Sequence, residues 1–371
     1  MLVAAILTAV ACLAYANGAN DNFKGVATLF GSGSATYRTA IGWATAATFA
    51  GSIAAAYLAG GLLKAFTGSG LVPKELAAEP SYAAAVALAA AATVFLATRL
   101  AMPVSTTHAL VGALVGAGIA AGAEVAVGEL RGKFLLPLLL SPALSFAAIL
   151  LAYPPLHRLR RRAGLTHETC FCVGTTVAEV RPGSVATAEA AFAQQLSVRI
   201  GAPVECRRRY SGRVVGVELG KCIDALHFLS AGAVSFARGL NDTPKIAALL
   251  VLAPLFGPVS GIVAVGLAIG IGGLLNARRI AETMGKKITP MNHGQGFAAN
   301  GTTAAIVIVA SLLGSPVSTT HVSCGTLFGL GLLTRQANAG MIAKILGAWL
   351  VTLPLGATLG YVCRLLLARA A

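Results

Sequence analysis

The chain has 371 residues, of which 56% are hydrophobic and only 11% charged, with 43 glycines. A soluble domain carries about a quarter of its residues as charges, so the composition excludes an ordinary soluble protein and predicts a polytopic membrane protein. The formal net charge of +15 is read as membrane topology rather than nucleic-acid binding, because much of it lies in connections between apolar segments.

Spans need about 20 apolar residues. The first segment covers 1–16 and continues to about residue 30. It lacks a basic leading region and runs directly into "NGANDNFKG" (Asn17 to Gly25), so it is expected to be retained rather than cleaved. Further spans are predicted at 39–63, 82–101, 103–122 and 134–155. "MPVSTTH" (Met102 to His108) opens the fourth of these segments, and "GALVG" (Gly112 to Gly116) places small residues at the spacing that lets helices approach closely in lipid.

A polar insert follows. Between Leu156 and Lys221 there are eleven Lys/Arg against five Asp/Glu, which places this stretch on the cytoplasmic side. Runs such as "TCFCVGTTVAEV" and "RVVGVEL" predict strands, and an Ala-rich stretch near 187–199 predicts a helix. The second half then gives 220–255 around "RGLNDTPK" (Arg238 to Lys245), then 257–276, 292–313, 316–333 and 341–369. A second basic connection carries Arg278, Arg279, Lys286 and Lys287.

The two halves repeat. "PVSTTH" from Pro103 returns from Pro316, and Asn20-Asp21 returns as Asn241-Asp242. The fold class expected is an all-α polytopic membrane protein, built as an inverted-topology repeat with two re-entrant helical hairpins and broken helices. Its parts are 1–155 as the first membrane repeat, 156–219 as a cytoplasmic insert and 220–371 as the second, inverted repeat. Three crossings plus one hairpin per half invert the second half. With both termini outside, the two basic connections then fall inside.

The chemistry follows from where polar groups lie. In "PVSTTH" the proline suits the first turn of a helix. Ser105, Thr106 and Thr107, with Ser318, Thr319 and Thr320, then put hydroxyls beside free amides at two positive helix ends, suited to a tetrahedral oxyanion without a buried arginine. The alternative is ordinary capping and helix-helix hydrogen bonding. Asp21 and Asp242 are carboxylates at membrane depth and must be paired, protonated or bound to a cation. Their oxygens suit hard cations, and an aspartate also accepts a hydrogen bond from a protonated phosphate, which sulfate lacks. The competing reading pairs each with Lys24 or Lys245 as a structural ion pair. Gln295 and Asn300 in "NHGQGFAANGTT" are further cation-ligand candidates, against a plain interfacial role. His108 and His321 are expected to orient neighbouring hydroxyls rather than relay protons. His167, Cys170, Cys172 and Cys206 are irregularly spaced for zinc, and Cys12, Cys324 and Cys363 read as small packing residues. "GVELGKC" (Gly216 to Cys222) departs from a phosphate loop. No cofactor and no enzyme activity is expected.

"GANDNFKG" with "PVSTTH", answered by "GLNDTPK" with "PVSTTH", resembles the inorganic phosphate transporter family of sodium- or proton-coupled symporters. The likeness covers both membrane halves. It implies import of inorganic phosphate with sodium ions or protons by a membrane-embedded homodimer, with a sulfate or other oxyanion permease as the alternative. A channel or a membrane phosphohydrolase is the remaining option, and no nucleophile-base pair or metal cluster supports the latter. Carried onto this chain, phosphate would meet Asp21, Asn22, Ser105, Thr106, Thr107, Asp242, Ser318, Thr319 and Thr320. The cations would lie nearer Asn20, Asp21, Asn241, Asp242, Gln295 and Asn300. Thr243 stands where the first motif has Asn22, so that anion contact is not extended to it. The cell inner membrane is the location implied.

Overall fold

A computed structural model describes residues 2–164, 169–176, 196–201, 210–251 and 257–370. Two compact units result, one of Met1–Tyr153 with His227–Ala371 and one of Pro154–Leu226. In the first unit the two sequence halves form a single body.

The first half runs α1 (Leu2–Asp21), a 3-10 turn (Asn22–Val26), α2 (Ala27–Gly31), α3 (Tyr37–Leu58), α4 (Gly60–Ala65), α5 (Lys74–Ala77), α6 (Pro80–Arg99), α7 (Thr106–Ala120), α8 (Val127–Glu129), a π turn (Leu130–Leu135) and α9 (Leu136–Arg162). The second half runs α10 (Leu219–Ala247), a 3-10 turn (Ala248–Leu250), α11 (Pro258–Asn276), α12 (Arg278–Glu282), a π turn (Thr283–Lys287), α13 (His293–Leu312), α14 (Thr319–Thr334) and α15 (Ala339–Ala370). By length and composition, seven of the described helices can cross a bilayer. The helix α10 is not among them, since it carries Lys221, Asp224, Arg238, Asp242 and Lys245.

The first break falls where the sequence predicts it, because α1 ends at Asp21 and tightens into a 3-10 turn. The second does not. The helix α10 runs through Asn241 and Asp242 to Ala247 with Pro244 inside it, and only then tightens. Pro244 removes one hydrogen bond to the preceding turn, and the neighbouring turns hold the helix together.

Each hairpin turns in the same way. In α6–α7, Met102 N donates to Ala97 O and Ala101 sits at φ 57°. In α13–α14, Ser315 N donates to Ala310 O and Gly314 sits at φ 66°. These left-handed residues close the helix carbonyls before each "PVSTTH" tract. Both prolines lie outside the helix that follows. The N-caps are Ser105 and Ser318, whose hydroxyls accept from His108 N and His321 N, so the proline extends the chain into the cap instead of opening the first turn.

Close packing uses the small residues. A Cβ on Gly112 or Gly116 would lie 2.3 Å from Leu353 O or 1.8 Å from Ala357 O, and one on Gly356 or Gly360 would strike Ala109 O or Ala113 O. The helices α7 and α15 therefore meet backbone to backbone through a pair of Gly-xxx-Gly stripes. Cys324 is buried beside Met284, whereas Cys12 is exposed.

The second unit carries a three-stranded antiparallel sheet in the order β2-β1-β3, formed by β1 (Cys170–Thr176), β2 (Leu196–Gly201) and β3 (Tyr210–Glu218). Residues 196–199, expected as the end of a helix, are strand, in keeping with the β-branched run Val198 and Ile200. Residues 187–195, His167 and Cys206 lie outside the described residues.

Candidate functional site

The two hairpin tips and the two Asn-Asp motifs converge in the interior of the first unit. Asn20 fastens α1 to the first tip. Its amide donates to Thr98 Oγ1 at 2.9 Å and Met102 O at 3.1 Å, and its carbonyl oxygen accepts from Val104 N at 3.2 Å. Asn241 does the same for the second tip, donating to Val317 O at 3.1 Å and accepting from Ser311 Oγ at 3.3 Å. Thr98 and Ser311 occupy equivalent places before their prolines. Both asparagines thus hold the hairpins.

The tip hydroxyls reach the carboxylates. Thr106 Oγ1 donates to Asp21 Oδ2 at 3.1 Å, and Thr319 Oγ1 donates to Asp242 Oδ2 at 3.4 Å. Asp21 also pairs with Lys24, and Asp242 lies 3.5 Å from Lys245 Nζ. The lysines then cross between halves. Lys24 Nζ donates to Val104 O of its own half at 2.9 Å and to Thr320 Oγ1 of the other at 2.5 Å. Lys245 Nζ donates to Val317 O of its own half at 2.7 Å and to Thr107 Oγ1 of the other at 2.8 Å. Each lysine thus bonds a backbone carbonyl of its own half and a threonine hydroxyl of the other.

Sequence reasoning did not find two members of the site. Asn17 and Arg238 each precede their aspartate by four residues and meet each other, Arg238 Nη2 donating to Asn17 Oδ1 at 2.6 Å. Asn17 Nδ2 reaches Asp21 Oδ2 at 3.1 Å, Thr106 Oγ1 at 3.0 Å and Asp242 Oδ2 at 3.5 Å. Arg238 is 1% exposed, and its Nη1 donates to Asn22 Oδ1 and Thr48 Oγ1 while Nε lies 3.8 Å from Asp242 Oδ2. The anion site read from the sequence required no buried arginine, and the structure places one beside it. Both residues sit one helical turn before an aspartate, on its face, and that spacing was the available signal.

Asn22 faces α3, donating to Thr45 Oγ1 and accepting from Thr48 and Arg238. The 3-10 turn rotates it away from the tips. Thr243, in the matching place, shares a 2.7 Å hydrogen bond with Ser52 on that same helix.

Gln295 and Asn300 join other partners. Gln295 closes a capping box with Asn292 at the start of α13. Asn300 donates to Thr28 Oγ1 at 2.8 Å, in a cluster with Ser230 and His227. Neither makes a hydrogen bond to the aspartates. His108 and His321 lie with ring centroids 4.5 Å apart and planes tilted by 41°, and His321 lies 3.9 Å from Trp349, tilted by 31°, whose Nε1 donates to Pro103 O at 3.1 Å. Their backbone amides, not their rings, engage the Ser hydroxyls.

Three buried cationic residues, Lys24, Arg238 and Lys245, thus face two buried carboxylates, leaving one formal positive charge in excess. Buried charge of this kind persists only where paired and hydrogen-bonded, and the excess favours an anion. Among the described residues no group of His, Cys, Asp or Glu has the arrangement of a metal site.

The chain is similar to known proteins. The family described as the phosphate transporter family matches residues 17–360. A Thermococcus kodakarensis protein named as a phosphate permease is 33% identical over 165 residues, covering 38% of this chain and 38% of the relative. Inorganic phosphate transporter 2-1, chloroplastic, of Arabidopsis thaliana is 36% identical over 152 residues, covering 37% of this chain and 26% of the relative. The chain therefore covers less than half the length of these curated relatives. A solved structure titled "The sodium-dependent phosphate transporter" superposes with a TM-score of 0.76 at 22% identity, over 100% of both chains. That likeness establishes the fold.

Proposed function

The chain belongs to the phosphate transporter family, and from that premise we propose that it is a secondary active symporter importing inorganic phosphate with sodium ions or protons. The observation that carries this reading is the meeting of two Ser-Thr-Thr helix starts over Asp21 and Asp242, with the lysine bonds exchanged between halves. Preformed hydroxyl donors and an excess positive charge suit a tetrahedral oxyanion. The carboxylates add acceptors for a protonated phosphate oxygen, which favours phosphate over sulfate.

The residues assigned to the anion are Asp21, Ser105, Thr106, Thr107, Asp242, Ser318, Thr319 and Thr320, with Asn22 supporting Arg238. Asn20 and Asn241 hold the tips beside the aspartates, and Gln295 and Asn300, the remaining cation-ligand candidates, sit on α13. The hairpins are read as re-entrant, since α7 and α14 are 15 and 16 residues long and rise only about 1.5 Å per residue, short of a roughly 30 Å core. Inverted repeats, with both termini outside and 156–219 in the cytoplasm, agree with the basic connections. A homodimer completes the assembly.

Transport follows as alternating access. Cation charge offsets the aspartates, phosphate displaces the hydroxyl contacts at the tips, and the halves rearrange to open the site to the other side. The test is uptake of radiolabelled phosphate into proteoliposomes of the purified chain under imposed sodium or proton gradients, with sulfate as competitor. Uphill accumulation that sulfate does not suppress is expected. Preferential sulfate uptake identifies an oxyanion permease of other selectivity, and downhill flux alone identifies a channel.

A further inference from the structure

Lys24 carries an ammonium group inside a cage of oxygen atoms. Its Nζ contacts Asn20 Oδ1 at 2.9 Å, Asp21 Oδ1, Val104 O at 2.9 Å and Thr320 Oγ1 at 2.5 Å. An ammonium has three hydrogens, so four oxygen neighbours exceed what its donors can satisfy singly. An amide carbonyl, a carboxylate, a backbone carbonyl and a hydroxyl are the ligand set that a hard cation takes. Lys245 repeats the arrangement with Asp242 Oδ1 at 3.5 Å, Val317 O at 2.7 Å and Thr107 Oγ1 at 2.8 Å. Both ammonium groups are buried, and both arise from the same place, three residues after the aspartate.

We propose that Lys24 and Lys245 are tethered counter-cations that fill the two oxygen cages at Asp21 and Asp242, so that phosphate movement by this chain needs no sodium ion. A sodium ion in the same cage would lie within a few ångströms of an ammonium and be repelled by it. The task a mobile cation performs, offsetting carboxylate charge so that an anion can approach, is done here by side chains. Arg238 supplies the remaining positive charge, bridging Asn17, Asn22 and Thr48 beside Asp242. Of the two driving ions allowed above, the proton remains.

The uptake arm of the test rests on the transport reading, and the melting arm does not. Proteoliposomes of the full chain are given an inward proton gradient with either sodium or N-methylglucamine as the only external monovalent cation. Initial phosphate uptake within about twofold in the two media supports the proposal, and a loss of about tenfold or more without sodium overturns it. In the second arm the purified chain is melted in detergent over increasing sodium chloride, with N-methylglucamine chloride as the ionic-strength control. No sodium-specific rise is expected for the natural sequence. Lys24→Gln and Lys245→Gln open a cage and are expected to gain a sodium-specific rise of about 4 °C or more, by mass action on a newly bindable ion. A sodium-specific rise in the natural sequence that Asp21→Asn abolishes overturns the proposal. Should the glutamine variants fail to fold, both measurements on the natural sequence still decide it. Absence of uptake in either medium, with no sodium-specific rise, overturns the transport reading and leaves the tethered-cation assignment supported.

Discussion

The hydroxyl of Thr320 donates a 2.8 Å hydrogen bond to the carbonyl oxygen of Val104, so the tip of one hairpin rests directly on the tip of the other. Lys24 Nζ donates to both atoms and closes the contact into a triangle. Thr320→Val keeps the shape but removes a donor and an acceptor, and a buried group left unpaired costs about 1–3 kcal/mol. Thermal melting in detergent is expected to fall accordingly, with phosphate uptake reduced. Thr107→Val removes the matching acceptor of Lys245. Its loss is expected to be of similar size, and a neutral result at either site would contradict the pairing between halves.

Asp21→Asn leaves the Lys24 ammonium buried without its carboxylate. Removing one partner of a buried pair costs about 3–5 kcal/mol, whereas replacing both partners with neutral groups of similar volume is often close to neutral. The single variant is therefore expected to melt well below the natural sequence, and Asp21→Asn combined with Lys24→Met to recover most of that loss. Uptake is expected to vanish in both. Recovery of melting temperature without recovery of transport separates the structural from the functional role of the carboxylate, as a double-mutant comparison requires.

Arg238 spans three oxygens that no lysine can reach together. Its planar fork serves Asn17, Asn22 and Thr48 at once, and a point-charge ammonium does not reproduce that geometry. Arg238→Lys keeps the formal charge, so any defect reads geometry rather than electrostatics. Phosphate uptake is expected to drop by about tenfold or more, equivalent to roughly 1.4 kcal/mol. Uptake at the natural rate would remove Arg238 from the site.

Gly116 marks the closest approach of α7 and α15. A side chain there meets Ala357 O at 1.8 Å, while one on Gly128 meets nothing within 4 Å. Gly116→Val is expected to separate the helices and lower the melting temperature by several degrees, as overpacking costs of about 1–3 kcal/mol do. Gly128→Ala serves as the control and is expected to change melting little.

How far the site could be read from residues alone depends on what the repeat preserves. "PVSTTH" stands out twice because identical polar strings in an apolar background are rare, and Asp21 and Asp242 because carboxylates are scarce in this chain. Asn17 and Arg238 were hidden because the repeat conserves their position and not their chemistry. A comparison by residue type does not pair an amide with a guanidinium, although the two side chains are hydrogen-bonded to each other. The resemblance assigned Asn22 to the anion, but a 3-10 turn changes direction faster than an α-helix and aims it at Thr45 and Thr48. The second Asn-Asp motif suggested a break at its aspartate, but the helix continues through Asp242 and Pro244 to Ala247. Asn300 read as a cation-ligand candidate because its hairpin arm is polar, and in the structure its amide is satisfied by Thr28 and Ser230. The strands of the insert were visible in their β-branched runs, but the strand at 196–201 was masked by the alanines that precede it.

The contact between Lys24 and Thr320 joins residues 296 positions apart, and this has a bearing on biosynthesis. Chains emerge from the ribosome at about 5–20 residues per second, so α1 waits on the order of 15–60 seconds before the Thr320 hydroxyl that accepts from Lys24 exists. Until residue 238 is made, Lys24 has Asp21 and the first hairpin, but neither Arg238 nor Thr320 exists. Assembly of the first half alone thus passes through a stage with a carboxylate and an amine incompletely screened. That stage is where membrane insertion machinery and chaperones would find a client.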